Sequence, residues 1–308
     1  MQKFDIVIVG AGPAGLNASL YASRYGLKNI VVGEIPGGLV TQTVEIGNWL
    51  GEKKISGFEF VQKATEHIKS LGAEIKNVSV DEIKKKSENE FEVLLSNGET
   101  LVGKTIIIAT GSRHRNLGVP GEKEMLGKGV SYCATCDGFF YKNKTVGVVG
   151  GNDSAVSAGI YLSDIAEKVY IIYRGEKLRA EKFWVDSLEQ RDNVEVICNT
   201  NIKEIRGAEK LEKIVLDNEY SGDRNLKLDG LFIEIGFVPN VDLLKRWGIE
   251  LDKENHIKVE SDGRTSQRGI WAAGDITTGS NKFKQIITAA AEGAICAGSI
   301  QNYLKTHS

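Results

Sequence analysis

The stretch "FDIVIVGAGPAGLNASLYA", residues 4–22, decides the fold. Phe4 to Val9 is a short apolar run and predicts a buried parallel strand. It runs into Gly10-Ala11-Gly12-Pro13-Ala14-Gly15 and then a helical stretch that ends near Gly26. A second apolar run, Ile30 to Val32, completes a βαβ unit with G-x-G-x-x-G at its first turn. Each glycine has its own reason. Gly10 allows the tight turn, Gly12 lets the backbone approach a pyrophosphate, and Gly15 lets helix and strand pack closely. The helix start offers unpaired N–H groups and a positive dipole end to phosphate.

The same plan restarts at Thr145 to Val149, which meets Gly150-Gly151-Asn152-Asp153-Ser154-Ala155. A helical stretch to about Ala166 and a strand from Val169 to Tyr173 follow. One such turn is weak evidence. Two, each between a strand and a helix, predict an α/β chain with two Rossmann-like nucleotide folds, handling two dinucleotides. Between the folds, Phe58, Val61, Thr65, Ile68 and Leu71 recur at helical spacing and close at Gly72. Ile75 to Ile83 and Phe91 to Leu95 read as a strand pair, with "DEIKKKSENE" as a solvated hairpin between them. "TIIIATGS", 105–112, and "GIWAAGD", 269–275, return strands to small-residue turns, and a helical run from about Lys284 to Leu304 closes the pattern.

The 308 residues suit about two domains. A net charge of −2 without a long basic run argues against a nucleic-acid partner. No apolar run approaches the ~18 residues of a membrane span. Asp5 and the glycines that follow it suit a strand and turn better than an export signal, so a reducing, cytoplasmic setting is expected.

"SYCATCDGFF", 131–140, sets Cys133 and Cys136 at C-x-x-C spacing with Asp137 next. A metal clip needs further ligands. Cys198 and Cys296 stand alone, and His67, His114, His256 and His307 show no ligand spacing, so no metal is expected. In a reducing compartment a close cysteine pair is more often catalytic than structural.

Gly10 to Gly15, "IIIATG", "CATCDG" before a second nucleotide fold, and "AAGD" occur in that order along essentially the whole chain. Together they resemble the low-molecular-weight thioredoxin reductases. The resemblance implies an FAD domain of residues 1–113 and 242–308, interrupted by a nicotinamide nucleotide domain of residues 114–241 that carries the cysteines. It further implies a homodimer that passes electrons from NADPH or NADH through FAD to the disulfide and on to thioredoxin or a thioredoxin-like protein. Cys136 would then face the flavin, Cys133 would attack the partner, and Asp137 would move protons; a turn or capping acid is the plain alternative for Asp137. On the FAD side the resemblance points to Gly10, Gly12, Pro13, Ala14, Gly15, Gly38, Asn48, Thr110, Gly111, Gly274, Asp275, Lys284, Gln285 and Ile286. Glu34, about 20 residues past the turn, is the candidate for the ribose hydroxyls. Lys284 stands where the family usually has arginine, and Leu39 where it has glutamine.

The second nucleotide site departs from the family pattern. Gly150, Gly151, Asn152, Asp153 and Ser154 form its turn, with asparagine where a third glycine is usual. Arg174 and Arg179 remain of the family's His-Arg-Arg-x-x-x-Arg, while Tyr173 replaces the histidine and Gly175 the middle arginine. Two arginines can still grip a 2′-phosphate, although solvated arginine is the ordinary case. Restoring arginine at 175 is expected to favour NADPH. Partial loss of this motif also raises reduced ferredoxin, or another low-potential carrier, as an alternative donor.

Overall fold

The computed structural model describes residues 2–43, 46–241, 244 and 247–306, so His307 lies outside the described residues. The chain divides into two compact units, Met1–Arg113 with Val238–Ser308, and His114–Phe237.

In the first unit, β1 (Gln2–Val9), α1 (Pro13–Arg24) and β2 (Asn29–Val32) form the expected βαβ. β1 lies between β2 and β6 (Thr100–Ile108), parallel to both. β6 is long enough to serve two partners on its far edge. Thr100–Gly103 pairs antiparallel with β5 (Glu90–Leu95), and Ile106–Ile108 pairs parallel with β17 (Ile270–Ala272). Both sheet faces are buried. Ile6 and Ile8 join the core beneath the helices, while Val7 and Val9 join the core on the opposite face, as the strand period of two requires. The helical face is built by α1, α2 (Gly57–Ser70) and α6 (Ile286–Thr306).

Two readings between the folds need correction. Ile75 belongs to β3 (Glu74–Lys76), an edge strand parallel to β2, and Ile83 belongs to β4 (Val80–Ser87), so the two do not share one strand. Much of "DEIKKKSENE" is not a hairpin loop: Asp81–Ser87 continues β4, antiparallel to β5. Its three consecutive lysines, Lys84 to Lys86, follow buried Ile83 on an outer strand and are all exposed, where charge blunts an open edge.

The second unit holds a five-stranded parallel sheet. Its order is β11 (Val194–Ile197), β10 (Lys168–Ile172), β9 (Thr145–Val149), β15 (Gly230–Ile233) and β8 (Val130–Ser131). One face packs on α4 (Asp153–Ser163) and α5 (Lys182–Glu189) through Val146, Val148, Val156, Leu162 and Leu188. The other face is covered by an antiparallel meander, β12 (Ile202–Arg206), β13 (Lys213–Tyr220) and β14 (Asp223–Lys227), through Ile205, Ile214 and Leu216. Where the chain passes between the units, β7 (Ser112–His114) and β16 (Phe237–Pro239) pair with each other. Among the described residues, no helix is long and apolar enough to cross a membrane.

Candidate functional site

Two phosphate-type turns are built alike. In the first, Gly10 has φ +118° and lies so close to Ala109 that a Cβ would stand 2.1 Å from its carbonyl oxygen. In the second, Gly150 has φ +144°, and a Cβ would stand 2.3 Å from the Glu234 carbonyl oxygen. Only glycine fits either place. Both helices start with the N-cap residue extended: Gly12 for α1, with Pro13 in its first turn, and Asn152 for α4. Gly15 packs onto the Gly10 carbonyl, closing helix on strand.

The first cradle fits a dinucleotide. A Cβ on Gly12 would meet nothing within 4 Å, and Gly12 puts no side chain over the helix start, so the space beside this turn is open. Gly38, with φ +55°, brings its own backbone near the Gly12 Cα. Glu34 is exposed, just past the end of β2.

The Gly274-Asp275 turn lies in the same unit. Gly274 has φ +84°, and a Cβ there would press to 3.0 Å from the Ala14 Cβ. Its N–H donates to the Glu292 carboxylate at 2.8 Å, as does the Thr277 hydroxyl at 2.8 Å. The Ser112 hydroxyl donates to Asp275 at 3.2 Å. Burial pushes the Asp275 carboxyl up, and Lys284 and Ser112 pull it partly back. Asp275, Lys284 and Glu292 line one small recess. The Asn48 amide donates to Gln285 at 2.9 Å, joining predicted residues 237 positions apart, and Ile286 begins α6. The Thr110 hydroxyl donates to the Asn240 carbonyl, while Asn240 N–H donates to Gly111. Sequence reasoning missed Ser112, Thr277 and Glu292. Glu292 had one signal, an acid within the small, apolar stretch Ala289–Ile300.

In the second unit Cys133 and Cys136 are joined as a disulfide, with Cα atoms 5.3 Å apart. Cys133 caps the short helix α3 (Ala134–Asp137), and its sulfur accepts the Cys136 N–H at 3.2 Å. The Thr135 hydroxyl lies 3.3 Å from the same sulfur. Both contacts fall on the Cys133 sulfur. Ala134 is buried in the core over α4, and Gly138 presses on Tyr161 and Leu162, so the cysteine turn rides on a rigid helix. Cys136 is exposed, Cys133 half-buried, and Phe139 and Phe140 stand out to solvent at 74% and 69% exposure. Cys296, by contrast, is fully buried, donates to the Ala272 carbonyl, and has its thiol pushed far up by burial.

At the second phosphate turn, the Asn152 side chain accepts the Ala155 N–H at 3.1 Å, taking one helix-start donor. Asp153 accepts the Glu181 N–H at 2.7 Å, and Arg179 N–H donates to the Gly151 carbonyl at 2.6 Å. The loop after β10 is thus fastened to the start of α4. Arg174 is exposed at the strand end, and Ser154 lies in the first turn of α4.

One group with metal-ligand geometry occurs among the described residues: Asp252, Glu254 and His256. Lys282 already pairs with Asp252 at 2.5 Å and with Glu254 at 2.6 Å, supplying the cation those acids call for.

The description "Pyridine nucleotide-disulphide oxidoreductase" belongs to the family model that matches residues 4–293. The thioredoxin reductase of Listeria innocua is 38% identical over 98% of this chain and 94% of its own. The Lactococcus lactis thioredoxin reductase structure superposes with a TM-score of 0.92 at 34% identity, covering 98% of this chain and 99% of that one. The T. acidophilum thioredoxin reductase gives 0.90 at 36% identity, over 99% and 100% of the two chains. With two nucleotide turns and a C-x-x-C disulfide already in place, these matches show that the chain belongs to the thioredoxin reductases of the pyridine nucleotide-disulphide oxidoreductase family.

Proposed function

We propose that electrons pass from NADPH or NADH through FAD to the Cys133–Cys136 disulfide, and from there to thioredoxin or a thioredoxin-like protein. The family's cofactors are FAD and a nicotinamide nucleotide. FAD, when bound, supplies the two-electron relay between nicotinamide and disulfide. The unit with the open Gly12 cradle is its host, held by Gly10, Gly12, Gly15, Gly38, Asp275 and the Asn48–Gln285 pair. The unit His114–Phe237 takes the nicotinamide nucleotide at Gly150–Ser154. The protein works as a homodimer in a reducing, cytoplasmic setting.

The observation that carries this reading is the asymmetry of the cysteine turn. After reduction, Cys133 is the thiolate held by the Cys136 N–H and Thr135. It attacks one sulfur of the partner's disulfide, forming a mixed disulfide and releasing a partner thiolate. The Cys136 thiolate then attacks the Cys133 sulfur, restoring the internal disulfide and releasing the second partner thiol. Asp137 supplies and accepts the thiol protons. Phe139 and Phe140, exposed directly after this turn, give the partner an apolar seat.

The test is anaerobic mixing of FAD-loaded protein with NADPH, NADH and reduced ferredoxin in turn, followed by oxidised thioredoxin. Bleaching of the flavin by a nicotinamide nucleotide, then stoichiometric thiol on thioredoxin, is expected. A colourless protein that binds no added FAD overturns the proposal. One observation favours a second donor, a low-potential carrier such as reduced ferredoxin: the Asn152 side chain already occupies a helix-start N–H. Bleaching by ferredoxin alone selects that reading.

A further inference from the structure

The position after the second strand of each βαβ unit packs on the middle residue of its phosphate turn. In the first fold Gly33 lies against Ala11, so close that a Cβ on Gly33 would stand 2.9 Å from the Ala11 Cβ. In the second fold the bulk is reversed. Tyr173 follows β10, and its ring lies against Gly151, where a Cβ would stand 2.6 Å from Cδ2. The opposite edge of the same ring lies against Gly175, where a Cβ would stand 2.6 Å from Cε1 and 2.9 Å from the hydroxyl oxygen. The ring is wedged between two glycines and is 8% exposed.

The backbone around the ring is held in place. Tyr173 N–H donates to the Ile197 carbonyl, Thr200 N–H to the Tyr173 carbonyl, and Asn199 N–H to the Gly175 carbonyl, at 2.9 to 3.1 Å. A ring pushed off position 175 is pushed onto Gly151. Arg179 closes the ring face, with its guanidinium carbon 6.0 Å from the ring centroid and its backbone tied to Gly151.

Resting on the reading of this fold as the nicotinamide nucleotide site, we infer that Tyr173 and Gly175 form one specificity-determining pair, in which the ring bars any side chain at 175 and fits the site to a nucleotide lacking the 2′-phosphate. Arg174 stands two places past the strand end, matching Glu34 in the first fold, and is exposed. Arg179 is engaged over the ring. A dianionic 2′-phosphate finds little grip there, so NADH serves at least as well as NADPH. Arginine at 175 needs a smaller residue at 173.

The experiment measures dissociation constants of NAD⁺ and NADP⁺ by titration calorimetry on FAD-loaded protein, beside kcat/KM for NADH and NADPH. Four proteins are compared: wild type, Gly175→Arg, Tyr173→Ser and the double variant. Wild type is expected to bind NAD⁺ at least as tightly as NADP⁺. Gly175→Arg alone should weaken both nucleotides by about tenfold or more, the scale of ~1.4 kcal/mol. The double variant should recover binding and shift preference toward NADP⁺ by about tenfold, the worth of one added charge-assisted contact. Gly175→Arg alone shifting preference to NADP⁺ with NAD⁺ binding intact overturns the coupling. So does a double variant equal to the product of the two single changes. Wild type preferring NADP⁺ overturns the assigned ligand. Should neither nucleotide bind any of the four while dithionite still bleaches the flavin, the nucleotide-site reading itself falls, and the inference with it.

Discussion

Cys133 and Cys136 are chemically distinct although four residues of one turn hold both. The Cys136 N–H points at the Cys133 sulfur, and the Thr135 hydroxyl lies beside the same atom. Cys136→Ser is expected to keep reduction of the flavin by nucleotide and to lose thioredoxin reduction, read by stopped-flow bleaching and by thiol release. Phe139→Ala should raise KM for thioredoxin by roughly tenfold, the scale of a modest interface anchor, with flavin bleaching unchanged. Burial pushes the half-buried Glu234 up to about 7. A carboxyl raised in the folded state stabilises folding below its unfolded value near 4.5, and that contribution is lost as pH rises through 7. Glu234→Gln should therefore raise Tm at pH 8 and leave it nearly unchanged at pH 4, measured by thermal unfolding. At this scale the sequence was legible where backbone geometry demands one residue, as at Gly10 and Gly150. It was silent where a side chain serves a distant turn, as Glu292 serves Gly274, or where a ring such as Tyr173 sets what its neighbours may be.

Helices α1 and α6 meet through small residues. A Cβ on Gly293 would stand 2.1 Å from the Ala14 carbonyl oxygen, and the Asn17 amide donates to the Ala290 carbonyl across the same seam. Backbone cannot retreat there as a flexible side chain can. Gly293→Ala should cost about 1–3 kcal/mol by overpacking, seen as a lower denaturant midpoint, and should loosen FAD because Ala14 also supports Gly274. The βαβ elements were readable because period and turn chemistry agreed. β3 and β4 were run together because β3 has only three residues and the apolar positions Ile75, Val78, Val80 and Ile83 run on across the break between them. The lysine run in β4 looked like loop because an outer strand shows charge on its open side.

The molecule is two units joined by two passages of chain, each unit with its own apolar core. Unfolding should therefore depart from a single two-state transition. Added FAD should raise the midpoint of one transition and leave the other in place, measured by calorimetry at several FAD concentrations. The duplication of nucleotide folds was legible because the same turn recurs. The meander β12–β14 was not, since its short strands carry the same alternation as many surface segments.

The unit that ends in α6 is discontinuous, whereas His114–Phe237 is one unbroken segment. On the ribosome, then, order of synthesis and order of completion differ. The first sheet emerges early with its Ala14–Ala18 helix face bare, and its cover, α6, follows only after roughly 170 further residues, a wait of about 10 to 35 s at ordinary translation speeds. The inserted segment has everything it needs to fold during that interval. The half-built first sheet is thus the nascent species that needs a chaperone, and slowing translation beyond Phe237 should lengthen its exposure and lower the soluble yield.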